Sequence, residues 1–276
     1  MKRISFVILS MMLLIIVLSG CGNNEEEVAT ETSSVSDTQT TAPVDEKAAK
    51  HKTAEPADKE DEITPGSAKT IVIDPGHSSV VSGEMEPLGP GSVEMKAADS
   101  IGTQGVSTGV PEYELTLEVS QKLQSELTAR GYNVLLTRNT NDTALSCAER
   151  AAIANENAAD VFLRIHANGS EDQTVQGAMT ICITPQNPFY PALYSQSRAL
   201  SDEILQALCS ETGCENEGVW ETDTMSGNNW SQVPATIVEM GYMTNPEEDL
   251  QLISEEYQDK IVQGIADGLD AYMILD

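Results

Sequence analysis

Thr70-Ile71-Val72-Ile73-Asp74-Pro75-Gly76-His77 decides the fold class. After Thr70, three large β-branched residues follow one another without a polar interruption, and Asp-Pro-Gly stops the run. A short, continuous apolar run bounded by turn residues reads as a strand covered on both faces. Working outward, comparable runs lie at Asn133–Thr137, Val161–Ile165, Gly177–Thr184 and Thr236–Met240. Helix-period segments separate them. From Glu112 to Arg130, Leu115, Val119, Leu123 and Leu127 recur every fourth residue and form one stripe, and Gly131 supplies the stop. Residues 144–158, 192–210 and 255–272 are also helical in period, and Asn245-Pro246-Glu247-Glu248 carries an N-cap, a proline at N1 and a glutamate at N3. Strands alternating with helices predict a single α/β domain over residues 68–276, with a twisted, mostly parallel sheet flanked by helices.

The chain has 276 residues and is 40% hydrophobic, enough for a proper core. Its 15 Lys+Arg against 44 Asp+Glu give a formal net charge of -29, which repels nucleic acid and anionic membrane surfaces. The first twenty residues have the layout of an export signal, with Lys2 and Arg3 before an apolar run from Ile4 to Leu18. Leu18-Ser19-Gly20-Cys21 resembles the lipobox of bacterial lipoproteins, in which cleavage before the cysteine leaves it to carry lipid. Residues 1–20 are therefore expected to be a lipoprotein signal peptide and Cys21 the lipidated residue. The protein would then act outside the cytoplasm, anchored to the membrane and facing the cell wall. Residues 21–67 contain 12 acidic and 4 basic residues and almost nothing large and apolar, the composition of a disordered acidic tether. His51 lies in it and is set aside.

Two histidines remain, His77 and His166, and each directly follows a strand-like run. In open α/β sheets, ligands bind beyond the carboxyl ends of the strands, so both rings are predicted to face one crevice, together with Glu239 from the last apolar strand. Catalytic zinc takes three protein ligands and leaves a fourth position for water, and two imidazoles with one carboxylate is a recurrent set. Glu112 and Glu114, which open the long helix, both qualify as that carboxylate, and spacing does not separate them. Cys209 and Cys214 are near enough in sequence to bridge, whereas Cys147 and Cys182 fall in element-like stretches suited to free thiols. The stretch from His77 to Glu112, rich in Gly, Ser, Pro and Val without a clear period, is too long for an ordinary connection.

Four segments in order, Ile71-Val-Ile-Asp-Pro-Gly-His77, Glu112-Tyr-Glu-Leu-Thr-Leu117, Phe162-Leu-Arg-Ile-His-Ala-Asn168 and Pro234-Ala-Thr-Ile-Val-Glu-Met-Gly-Tyr-Met-Thr-Asn245, resemble the motifs of the zinc-dependent N-acetylmuramoyl-L-alanine amidases. Arg138 and the stretch from Cys147-Ala-Glu-Arg150 to Asp160 also resemble that family's connecting region. The resemblance implies that His77, Glu112 and His166 bind Zn2+ and that Glu239 is the catalytic glutamate. It selects Glu112 because the motif's glutamate precedes its leucine by five residues, and it leaves Glu114 at a variable position. The implied substrate is the amide joining N-acetylmuramic acid to the L-alanine of the peptidoglycan stem peptide.

This chain departs from the family's pattern in three places: Ser78 and Ser79 follow the first histidine, Arg164 stands two before the second, and the His77–Glu112 segment is long. Arg164 would put a positive group beneath the site. Only a short link separates Asn168 from the strand at Gly177, so no inhibitory helix is expected there. A catalytically silent peptidoglycan-binding lipoprotein has little reason to keep both histidines and Glu239. A zinc peptidase acting within the stem peptide, or a glycosidase using paired carboxylates, would differ in the bond cut. Trp220, Trp230 and Tyr242 are assigned to packing, and no activator protein is legible in the chain.

Overall fold

The structure, a computed structural model, describes residues 68–275. The expected signal peptide, Cys21, the acidic tether and His51 lie outside the described residues.

Six strands form one sheet in the order β4-β1-β5-β8-β6-β7. They are β1 (Thr70–Pro75), β4 (Asn133–Leu136), β5 (Val161–Asn168), β6 (Ala178–Cys182), β7 (Asn216–Glu221) and β8 (Ala235–Tyr242). The remaining two, β2 (Met85–Pro87) and β3 (Met95–Ala97), make a separate antiparallel hairpin. The helices are α1 (Glu112–Ala129), α2 (Cys147–Glu156), α3 (Tyr194–Thr212), α4 (Ser226–Trp230), α5 (Pro246–Leu252) and α6 (Glu255–Leu275). None of them is long and apolar enough to cross a membrane.

The expected sheet is present: β4, β1, β5 and β8 are mutually parallel. The exception is β6, which runs antiparallel to β8, with β7 parallel to β6. The cause is the short link at 169–177, which forms a bend and a turn. A parallel return needs a crossover of a dozen or more residues, so a strand reached this quickly must reverse direction. No helix occupies 169–176.

Strand alternation sorts the core into two layers. On one face Ile71, Ile73, Leu163, Ile165 and Val238 pack with the α1 stripe Leu115, Val119, Leu123 and Leu127 and with apolar residues of α3 and α6. On the other face Val72, Phe162 and Ala235 pack with Ala151 and Ala154 of α2, with Trp230 against them. Further along, this second face turns polar. After Val72 comes Asp74, after Phe162 come Arg164 and His166, and Glu239 follows Ala235 and Ile237. The sheet's apolar layer thus gives way to polar groups at the carboxyl end of the parallel strands.

Helix ends match the sequence cues. Gly131 follows α1 at φ 96, and Ser146 and Glu149 form a reciprocal capping box on α2. Asn245 accepts from the backbone N–H groups of Glu247 and Glu248 at the start of α5.

Candidate metal centre

β1 ends at Pro75, which has no N–H to continue the ladder, and the chain turns through Gly76 into His77. A side chain at Gly76 would place a Cβ 2.5 Å from the His166 ring, so this backbone approaches the ring as only glycine can. His77 itself is held at φ 62, a left-handed conformation costing a non-glycine residue roughly 1–2 kcal/mol. Two buried guanidinium groups hold the strained turn by its carbonyls. Arg138 donates to the carbonyls of Pro75 (3.0 Å) and Gly76 (2.8 Å), and Arg150 to those of Pro75 (2.7 Å) and His77 (2.9 Å).

Beneath the turn, Asp74 is fully buried. Its Oδ1 accepts from Arg150 (2.8 Å) and from the Thr137 hydroxyl (2.6 Å), and its Oδ2 accepts from Arg164 Nε (3.0 Å). Burial alone would raise the Asp74 pKa, but the two guanidinium groups outweigh it and hold the carboxyl well below the usual range. Arg164 therefore lies beneath the site, paired to the strand that carries His77.

His77, Glu112 and His166 converge. His77 Nε2 lies 3.1 Å from Glu112 Oε1 and 3.1 Å from His166 Nδ1, and His166 Nδ1 lies 3.2 Å from Glu112 Oε1. The two rings meet edge-on, with their planes at 84°. At zinc–ligand distances near 2.1 Å, tetrahedral ligand atoms stand about 3.4 Å apart, so this triangle is close to the size of one face of a zinc site. The donor set also fits. His77 Nδ1 is 3.0 Å from the carbonyl of Ser100, which it reaches as a donor, leaving the Nε2 lone pair directed inward.

Glu112 stands at the N-terminus of α1, where the helix dipole favours a carboxylate. Its Oε2 accepts from the Thr103 N–H (2.9 Å) and its Oε1 from the Ala167 N–H (3.1 Å). Burial would raise its pKa, but the hydrogen bonds and charge of the two imidazoles hold it below the usual carboxylate range. Burial lowers the His166 pKa to about 4, which leaves the ring neutral and able to ligate at neutral pH. Glu114 lies on the exposed side of α1, away from this cluster.

Glu239 lies opposite His166 in the β5–β8 register. Its Oε2 is shielded from solvent and has no hydrogen-bond partner among the described residues, and burial together with the Glu112 charge pushes its pKa up to about 8. His77, His166 and Glu239 line two adjoining spaces. One, of about 310 Å³, lies under the β2–β3 hairpin; the other, of about 510 Å³, opens over Asn168 and Ser170.

Ser100 and Thr103, which orient two of the three converging groups, escaped sequence reasoning. Both belong to the aperiodic segment between His77 and Glu112, where no pattern distinguishes one serine or threonine from another. Of the four cysteines among the described residues, all free thiols, Cys147 lines the smaller cavity, Cys182 is buried, and Cys209 and Cys214 have their Sγ atoms 3.3 Å apart.

Residues 71–271 match the sequence model of the N-acetylmuramoyl-L-alanine amidase family. The chain is 29% identical over 210 residues to the N-acetylmuramoyl-L-alanine amidase LytC of Bacillus subtilis, covering 75% of this chain and 36% of that longer relative. It is 30% identical to the uncharacterised protein YqiI of the same organism, over 75% of this chain and 86% of YqiI. Among solved structures, the N-acetylmuramyl-L-alanine amidase Ami1 of Mycobacterium smegmatis superposes with a TM-score of 0.68 at 25% identity, over 76% of this chain and 99% of Ami1.

Proposed function

The chain belongs to the N-acetylmuramoyl-L-alanine amidase family, and we propose that it is a zinc-dependent cell-wall hydrolase cleaving the amide between N-acetylmuramic acid and the L-alanine of the stem peptide. One observation carries this reading: His77 Nε2, Glu112 Oε1 and His166 Nδ1 lie within 4.8 Å of one another, with the unpartnered carboxyl of Glu239 on the strand beside them.

His77, Glu112 and His166 would hold the ion. When bound, zinc supplies Lewis acidity, polarising the amide carbonyl and lowering the pKa of water towards ~7. The protein's own groups do the rest. Ser100 keeps the His77 ring in one tautomer, and the Thr103 and Ala167 N–H groups fix the Glu112 carboxylate. With a dication held beside it, the Glu239 carboxyl would ionise, accept a proton from the attacking water and deliver it to the leaving amine nitrogen. With no hydrogen bond committing Oε2 elsewhere, that carboxyl is free for proton transfer.

The lipobox-like Leu18–Cys21 supports export and a lipid anchor at Cys21, which would place the enzyme at its substrate. Metal analysis tests the centre: the purified protein is expected to carry one zinc per chain, and His166→Ala to carry none. Fractionation tests the anchor, since Cys21→Ala should move the protein from the membrane to the soluble fraction.

A further inference from the structure

The two spaces that meet at His77, His166 and Glu239 differ in charge. The open one is lined by no lysine or arginine, and its acids are Glu112, Glu171 and Glu239. The one beneath the hairpin holds Lys96, Arg150 and Arg164 against Asp99 and Glu239. In a chain with 15 Lys+Arg against 44 Asp+Glu, three cations around one cavity run against the whole composition.

Two of these cations have capacity left. Arg164 is 4% exposed; its Nε is on Asp74 and its Nη2 lies 3.8 Å from Cys147 Sγ, while Nη1 has no partner among the described residues. Asp74 is the carboxylate for both Arg150 and Arg164, so one negative charge serves two buried positive ones. Lys96, on β3, donates to the Thr224 carbonyl at 2.6 Å and has no carboxylate partner among the described residues. That bond ties the ammonium to the cavity wall and leaves its other two protons unspent. Arg164 thus lines the cavity with a donor unspent, and charge-assisted bonds to a carboxylate are the strong way to use it.

We propose that the cavity beneath the hairpin binds the acidic peptide limb of the substrate, with Lys96 and Arg164 receiving a free carboxylate on the peptide side of the scissile amide. This rests on the amidase reading above, because it assigns the two limbs of that substrate to the two spaces. The glycan limb is uncharged and takes the open space, lined by Asn168, Ser170 and Thr244. The peptide limb carries carboxylates and takes the cationic one. Lys96 and Arg164 are thus specificity residues that favour a wall whose second stem residue is a free acid over one in which it is amidated.

The test uses two probes whose γ-carboxyl is blocked as the methylamide and which differ only at the α-carboxyl of the second residue: N-acetylmuramoyl-L-alanyl-D-isoglutamic acid γ-methylamide and its α-carboxamide. Binding by calorimetry and kcat/KM are measured on the full chain and on Lys96→Gln, with zinc and after metal depletion. The acid is expected to bind about tenfold more tightly than the carboxamide, the worth of one charge-assisted hydrogen bond, and Lys96→Gln to bring that ratio towards one. Equal binding of the two probes overturns the proposal, as does binding of neither. A preference that survives Lys96→Gln but disappears on metal depletion also overturns it, since the carboxylate would then be meeting the ion. Preferential binding of the acid without cleavage of either probe keeps the subsite and removes the amidase; cleavage of both at equal rates does the reverse.

Discussion

Arg150 Nη2 donates to the carbonyl oxygen of His77 at 2.9 Å, so helix α2 grips the backbone of a residue held in the left-handed region at φ 62. The same guanidinium reaches Pro75 and Asp74. The backbone from which the His77 ring projects is therefore held by a planar fork, and lysine has no such fork. Arg150→Lys should keep the fold and weaken zinc binding by about 10–100-fold, the usual effect of losing support behind a ligand. Competition with a fluorescent chelator measures it; unchanged affinity would detach Arg150 from the centre.

Asp74 gives a pH signature. Its folded-state pKa lies well below the ordinary aspartate value of 3.8, so its ion pairs stabilise the protein fully above that value. As pH falls below it, the unfolded chain takes up the proton first and the contribution is lost progressively. Asp74→Asn should cost about 3–5 kcal/mol at neutral pH, as expected for a broken buried pair. In denaturant titrations the gap between wild type and variant should narrow as the pH drops below 4. A gap independent of pH would mean that the pairs contribute little.

Much of this architecture was legible in the sequence, because buried strands and striped helices write their burial into residue order. Ile71-Val72-Ile73 and the Leu115–Leu127 stripe are examples, and both lie in the core. What escaped had no such imprint. β7 is an edge strand with Gly218 at φ 88 in its middle and Trp220 exposed, so it lacks the alternation of a half-buried strand. α4 is a single short turn in which Asn228 and Asn229 are buried and hydrogen-bonded, and polar burial leaves no hydrophobic period. The hairpin strands are three residues each, too short for periodicity. At the site, His77 and His166 stood out by scarcity and by their place at strand ends. The choice of Glu112 over Glu114 came from a family resemblance, and in the structure Glu112 is the one turned to the two rings. Arg150 and Ser100 act through backbone carbonyls of distant residues, a relation that the order of residues does not encode.

Glu239→Gln keeps the shape and removes the proton acceptor. It should retain bound metal and lose about 10²–10⁴-fold in kcat, the typical share of a positioned acid–base group. Metal content and turnover measured on one preparation check both halves, and an active Glu239→Gln would reassign the base.

Cys209 at the end of α3 and Cys214 after Gly213 have their sulfur atoms 3.3 Å apart. Under oxidising conditions outside the cell they should bridge, adding about 2 kcal/mol by loop entropy. Thiol titration before and after reduction should differ by these two groups, with a higher melting temperature for the oxidised form. Reactive thiols at both Cys209 and Cys214 in protein from an oxidising medium would contradict this.

The most direct measurement of the central claim is mass spectrometry of the fragments released from purified peptidoglycan by the protein, with zinc and with a chelator. The account predicts intact stem peptides bearing a free N-terminal alanine, released with zinc and absent with the chelator. New sugar ends, cuts within the peptide, or release that persists in chelator would contradict it.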